Sequence, residues 1–383
     1  MSYTETLLVS LLGALLTVHF GSLAIARWRL TRPRPHTREE TPVIALIRPV
    51  CGVDQFEEET LRSSFHQHYP HYEVVFCVAA QDDPVIPLIR GLMAQYPQQP
   101  ARLLIGDHPL TQNPKLNNLF KALPATQATW LAMADSNLLL PQHYLSTLLA
   151  SWQSDTGLVS APATGSRPAN LWGSVECAML NTHQARWQLL SDWGGQGFAQ
   201  GKTLFWRRDI LEAGGGLLAL GEEVAEDVAS TKLVRRAGRK VRLPSQLFEQ
   251  PVGKRSLSAV WGRQLRWAKI RRAGFPALFL PEILLGALPT SGVAAWLISA
   301  DVLTGWLLTA MLALWYGAEW AFAKSVGWPH SLRDTFALVI RDVMLPLLWV
   351  GSWSSRQFVW RGTTLGTPAS TALPAAQVAR DPH

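Results

Sequence analysis

Charge is scarce in this sequence. Only 16% of its 383 residues are Asp, Glu, Lys or Arg, while 48% are hydrophobic; a soluble domain carries roughly 25% charged residues. The apolar residues gather at the two ends, which points to bilayer contact. Cysteine is scarce as well. Cys51, Cys77 and Cys177 offer no CxxC spacing and no even count, so a metal or disulfide framework is disfavoured and buried, reduced thiols in a cytosol-facing domain are expected. The glycine-rich segment 194–201 has the arrangement of neither a P-loop nor a dinucleotide fingerprint, and no internal repeat is visible. The formal net charge of +7 lies largely beside the apolar ends, which favours an anionic membrane surface over nucleic acid.

What is present starts with an apolar run from Leu7 to Ala26, long enough to cross a hydrocarbon core of roughly 30 Å. No basic stretch precedes it and no small-residue cleavage site follows, which argues against a cleaved signal peptide. Arg27, Arg29, Arg32, Arg34 and Arg38 come next. By the positive-inside rule they put the N-terminus outside and the following domain in the cytoplasm. Further apolar stretches, at about Pro276–Ala300, Val302–Ala323 and Thr335–Trp353, read as a C-terminal membrane region and make the chain multi-pass. Arg341 and Asp342 in the last suggest a tilted, broken or re-entrant segment.

Between the apolar ends the pattern is that of an α/β domain. Strands are expected at Val43–Pro49, Tyr72–Val78, Arg102–Ile105 and Thr129–Ala134, with helices at Phe56–His66, Ile86–Tyr96 and Lys115–Leu123. The alternation predicts a parallel, doubly wound sheet, and ligands bind at the carboxyl ends of such strands. The implied organisation is an anchor and basic linker over 1–40, a catalytic domain over 41–257, an interfacial amphipathic helix over 258–274, a membrane region over 275–362 and a disordered tail over 363–383.

Several residues at strand and helix ends can carry chemistry, each with a bland alternative. Asp83, after the second strand, can accept from a base or ribose, or cap the helix that follows Pro84. Asp135, after the strand ending at Ala134, can hold a divalent cation against a diphosphate, or make an Asx-turn. Asn137 denies it a second nearby carboxylate. Glu226 and Asp227 open a helix, where acids serve the dipole or act as a general base. Arg263, Arg266 and Trp267 share a helix face, which suits a diphosphate and a sugar or lipid as well as a headgroup layer. Lys115 is a candidate phosphate or uridine contact, Gly201 closes a glycine-rich loop able to approach a ligand, and His183 is a candidate acceptor-side residue.

In this order, Arg48-Pro-Val-Cys-Gly-Val53, Tyr69-Pro-His-Tyr-Glu-Val74, Asp82-Asp-Pro84, Asn113-Pro-Lys-Leu-Asn-Asn118, Asp135-Ser136, Ala225-Glu-Asp227 and Arg263-Gln-Leu-Arg-Trp267 resemble the ceramide glucosyltransferase family over about Thr41 to Arg361. The resemblance implies a GT-A (nucleotide-diphospho-sugar transferase) Rossmann-like mixed sheet with transmembrane helices at both ends, in a bacterial-type member of the inner membrane. It implies UDP-glucose as donor, Mg²⁺ or Mn²⁺ as cofactor and ceramide as acceptor. Asp83 would bind uridine, and Asp135 the metal and diphosphate. Lys115, Gly201, Arg263, Arg266 and Trp267 would complete the donor site. Asp227 would be the base of an inverting displacement, with His183, Glu226 and Trp267 toward the acceptor. A hopanoid or other polar lipid, with UDP-N-acetylglucosamine, is the alternative pairing. No nucleic acid and no obligate protein partner is inferred.

Overall fold

The computed structural model describes residues 2–32, 40–223, 225–354, 357–360 and 363–366. Arg34 and Arg38 of the expected basic linker, and the tail beyond Gly366, lie outside the described residues.

The N-terminal apolar run forms one helix of 28 residues, Tyr3–Leu30, about 42 Å long at the α-helical rise. Ser2 starts it through a capping box: its hydroxyl accepts the Glu5 N–H, and Glu5 accepts the Ser2 N–H, which satisfies otherwise orphan donors.

The central domain is built on nine strands: β1 (Ile44–Val50), β2 (Tyr72–Val78), β3 (Ala101–Ile105), β4 (Trp130–Ala134), β5 (Thr156–Ser160), β6 (Ala163–Pro168), β7 (Thr203–Arg207), β8 (Lys240–Arg242) and β9 (Phe248–Gly253). Seven of them form a sheet in the order β3-β2-β1-β4-β7-β5-β8. The first half is parallel, and β1 and β4 read as the near-continuous apolar runs of strands covered on both faces. The second half departs from the all-parallel pattern that the alternation predicts, because β7 runs antiparallel to both β4 and β5. The sheet is therefore mixed, as the family resemblance implies. An antiparallel β7 brings its own start against the end of β4, and the site depends on that. β6 and β9 make a separate parallel pair.

The basic helix runs from Leu257 to Gly274, begun by Ser256, whose hydroxyl accepts the Ala259 N–H. Beyond it, the expected span Pro276–Ala300 is not one helix: Pro276–Leu284 and Ala287–Ser299 meet at 51°. Leu285 is extended and Gly286 has φ +90, and the freed Ala287 N–H is taken by Asp342 at 3.0 Å, so the break is satisfied inside the protein. Among the described residues two helices are long and apolar enough to cross a membrane, Tyr3–Leu30 and Leu332–Ser352, with the bent pair a third if it counts as one span. The helix Trp306–Ser325, expected as a span, falls short: three tryptophans, a tyrosine and Glu319 dilute its hydropathy. The last apolar segment is one continuous helix despite Pro346 and Arg341-Asp342.

Those charges are neutralised internally. Fully buried Glu319 accepts from Arg186 and from Arg341 at 3.1 Å through one oxygen, and its other oxygen forms an ion pair with Arg341 at 2.8 Å. Arg341 also pairs with Asp342 at 2.7 Å and donates to the Thr182 hydroxyl. Two cations thus meet two anions where the N-terminal and C-terminal helices pack on the segment Met179–Trp193. Past that region, β10 (Gln357–Trp360) and β11 (Thr363–Gly366) form an antiparallel hairpin, so residues 363–366 of the expected disordered tail are paired.

Candidate active site

A cleft of about 1380 Å³ opens at the carboxyl ends of β1 and β4 and runs to the helices after Ser256. One end is polar and the other apolar. β1 pairs with β2 on one side and β4 on the other, the switch point at which such sheets bind ligands.

The polar end is a hub around Lys115. Asn113 caps the short helix Pro114–Leu119, accepting the Lys115 and Leu116 N–H groups, and its amide donates to Glu226 at 2.8 Å. Lys115 then points its ammonium at Asp135 (2.7 Å), at Glu226 (2.8 Å) and at the Gly201 carbonyl (2.5 Å). Glycine at 201 leaves room for that approach: a Cβ there would lie 2.7 Å from the Glu226 carboxylate, which would have to shift. Lys202 completes the hub, 3.1 Å from the other oxygen of Asp135 and donating to Asn137 at 3.0 Å. The backbone sets this pairing, since the Asp135 N–H donates to the Lys202 carbonyl where β4 ends and β7 begins.

Electrostatics follow from the geometry. Burial opposes ionisation of Asp135, but the two ammoniums outweigh it and hold its carboxyl well below the usual carboxylate range. Burial also opposes the charge of Lys115, and Asp135 and Glu226 reverse the balance, holding it above its ordinary value. For Lys202 burial wins, aided by Arg263 and Lys115, and its pKa falls despite Asp135. Asp227 differs. Burial first, and then the charge of Glu226, push its carboxyl up to about 7, against the backbone N–H groups of Val228 and Gly201 and the charge of Lys115.

Trp187, Phe198, Val228, Trp267, Ile270, Phe275 and Leu278 line the apolar end. Trp267 packs with Cys177, Leu180 and Val252. His183 sits in a π-helical turn, Met179–Ala185, on the cleft wall; burial, then Arg271, Arg341 and Arg186, hold it well below 6.5 and hence neutral. Arg263 and Arg266 also line the cleft, and Arg263 is anchored at 2.7 Å by Glu176, a fully buried acid on the helix Leu171–Ala178.

The structure thus brings together Lys115, Asp135, His183, Gly201, Glu226, Asp227, Arg263, Arg266 and Trp267. Glu226, expected toward the acceptor, turns instead into the lysine hub. Asp83 stands apart from the cleft wall: its carboxylate accepts the Gly52 N–H at 3.0 and 3.1 Å and the Val85 N–H at 2.9 Å. It shapes the loop that carries Val50 and Cys51, and those two line the cleft. Cys51 is exposed there, against the expectation of three buried thiols; Cys77 and Cys177 are buried. Sequence reasoning missed Lys202, Glu176 and Arg48. Fully buried Arg48 donates to the carbonyls of Ser136 (2.8 Å) and Leu138 (3.1 Å) and so fixes the turn that presents Asp135. An arginine inside an apolar strand was the available signal for it.

Among the described residues no three ligating side chains gather for a metal ion. Asp135 is a single carboxylate with free space beside it in the cleft, which fits a cation that takes its other ligands from phosphate and water and does not fit an all-protein cage.

Comparison with known proteins bears on family and fold. The family model described as glycosyl transferase family 21 matches residues 11–371. Ceramide glucosyltransferase 3 of Caenorhabditis elegans is 24% identical over 93% of this chain and 80% of its own length. The ceramide glucosyltransferase of Komagataella phaffii is 33% identical over 32% of this chain and 25% of its own. Among solved structures, a mannosyltransferase from Pyrobaculum calidifontis, in complex with GDP-Man and Mn²⁺, has a TM-score of 0.51 at 20% identity, covering 88% of this chain and 99% of that one. The likeness gives the GT-A fold, and with the family match over nearly the whole length the chain belongs to glycosyl transferase family 21 and is a glycosyltransferase.

Proposed function

We propose that this enzyme transfers glucose from UDP-glucose to the C1 hydroxyl of a ceramide, with inversion, at a membrane surface. The observation that carries the reading is the placement of Asp227 in one cleft between the lysine–carboxylate hub and an apolar end beside membrane-type helices. Relatives named as ceramide glucosyltransferases support the sugar and the lipid.

In this reading the uridine lies at the ends of β1 and β2, on the loop that Asp83 holds. The diphosphate lies against Lys115, Arg263 and Arg266, where positive charge matches the charge that develops on the leaving group. Asp135 would hold a divalent cation, Mg²⁺ or Mn²⁺; when bound, the ion supplies Lewis-acid stabilisation of the departing diphosphate, and the Mn²⁺ of the Pyrobaculum calidifontis mannosyltransferase complex supports the use of a divalent cation in this fold. Asp227 accepts the proton of the acceptor hydroxyl as its oxygen bonds to the anomeric carbon and the bond to the UDP oxygen breaks. A carboxyl held at about 7 is well placed for that transfer near neutral pH. Trp267, Phe275 and Leu278 offer the lipid an apolar wall, and His183, kept neutral, adds no charge to it. Arg27, Arg29 and Arg32 at the end of the first helix favour a catalytic domain that faces the cytoplasm, in a protein read as multi-pass in the inner membrane.

A donor-by-acceptor matrix with the purified full-length protein, read by mass spectrometry, tests the reading. The expected product is glucosylceramide from UDP-glucose and ceramide. Glycosylated hopanoid from UDP-N-acetylglucosamine, with no glucosylceramide, would replace both substrates while leaving the site intact.

A further inference from the structure

We propose that Lys202 is an exchangeable counterion of Asp135, which keeps a divalent cation out of the site until a diphosphate arrives. The proposal rests on the reading of Asp135 as the cation ligand.

Each oxygen of Asp135 already faces an ammonium, Lys115 at 2.7 Å and Lys202 at 3.1 Å. A cation such as Mg²⁺ binds a carboxylate oxygen at roughly 2.0–2.1 Å, within the space these ammoniums occupy. A cation seated on the oxygen that faces Lys202 would crowd that ammonium and favour its displacement. The charges give the same answer. Lys115 and Lys202 already match the paired carboxylates Asp135 and Glu226 in number, with Asp227 beside Glu226 outside that pairing. Arg263 lies nearby but is matched by Glu176. A divalent ion alone would add two positive charges beside two ammoniums, and their mutual repulsion disfavours that state. The two negative charges of a nucleotide-sugar diphosphate offset those of the ion.

Lys202 is the member that can leave. Lys115 is tied to three partners, Asp135, Glu226 and the Gly201 carbonyl. Lys202 has two, Asp135 and the neutral Asn137, and its ammonium lies on the cleft wall where a phosphate oxygen could take it over. Its main chain stays fixed by the Asp135 N–H, so exchange needs only a side-chain rotation. Cation and diphosphate would then enter as a coupled pair.

The test is Mn²⁺ binding to the full-length protein in detergent, followed by electron paramagnetic resonance with and without UDP. Wild type should bind Mn²⁺ alone weakly and bind it more tightly by roughly tenfold or more once UDP is present. Lys202→Gln and Lys202→Met should bind Mn²⁺ alone at least about tenfold more tightly than wild type, and so lose most of the UDP dependence. Lys202→Arg, which keeps the charge, should retain it. A thermal melt of each variant verifies folding, and two neutral replacements guard against failure of one. Equal affinity of wild type and folded neutral variants for Mn²⁺ alone would overturn the proposal. Absence of Mn²⁺ binding to any form even with UDP, or binding unchanged in Asp135→Asn, would overturn the underlying cation assignment and is a distinct result.

Discussion

Replacing Asp227 by asparagine separates two consequences of one burial. The carboxyl titrates at about 7 instead of 3.8, so the folded state holds its proton where the unfolded chain has lost it. Below pH 3.8 both states are protonated and the group costs nothing. As the pH rises toward 7, the unfolded state ionises first and stability is lost; above 7 the loss is complete. At about 1.36 kcal/mol per pH unit, the span from 3.8 to about 7 sets an upper bound near 4 kcal/mol, reduced because the side chain is partly open to the cleft. Asparagine carries no such penalty. Asp227→Asn should therefore melt at a higher temperature than wild type at pH 8, by several degrees, and at the same temperature at pH 4. Its turnover should fall about 10²–10⁴-fold, the range for loss of a general base. Wild-type turnover should climb as the pH rises through about 7 and then level, since the base works only when ionised. Single-turnover transfer across the pH range, alongside scanning calorimetry at the two ends, measures both. A variant within a few-fold of wild type, or a melting difference that is the same at pH 4 and pH 8, would refute the reasoning.

Lys115→Met leaves Asp135 and Glu226 facing one another without their shared cation; it should destabilise the protein by about 3 kcal/mol and abolish UDP retention, measured by calorimetric melting and equilibrium dialysis. Gly201→Ala places a Cβ 2.7 Å from the Glu226 carboxylate and must push it off Lys115, so transfer should drop by at least about tenfold with a smaller loss of stability, of order 1–3 kcal/mol; kinetics and melting of the same preparation compare the two. Glu319→Gln removes the anion shared by Arg186 and Arg341 in a fully buried place, and the cost should be about 3–5 kcal/mol, seen as a lower melting temperature in detergent with UDP affinity unchanged in the protein that remains folded.

The first half of the sheet was legible because its strands are apolar runs bounded by turn residues, and local pattern decides such elements. Tyr72–Val78 falls where the sequence predicts it, residue for residue. β5 and β7 are apolar as well, yet nothing local says that β7 inserts antiparallel between β4 and β5; strand direction is a property of the whole sheet. The broken span at Leu285-Gly286 was hidden for a related reason. Its hydropathy is that of a continuous helix, and the break is held by Asp342, more than fifty residues later in the chain. The charges at 341 and 342 did mark that region as unusual, although the helix that carries them is intact and the bend lies in their partner.

The candidate site divides along the same line. Asp135, Lys115, Glu226 and Asp227 stand at strand and helix ends, where sequence position alone suggests exposure of a side chain to a ligand. Lys202 stands at a strand start, which in a parallel sheet is the far edge, away from bound substrate. Only the reversed direction of β7 carries it to the carboxyl end of β4, where the Asp135 N–H meets its carbonyl. Asp83 shows the other side of local pattern: a carboxylate at a strand end whose oxygens accept the Gly52 and Val85 N–H groups. Strand-end position selects residues that can reach the ligand, but the backbone donors within reach of each carboxylate determine which of them do. Asp135 has two lysines and open cleft around it, Asp83 has backbone, and that difference makes the first a candidate for exchange with a cation and the second a fixed part of the frame.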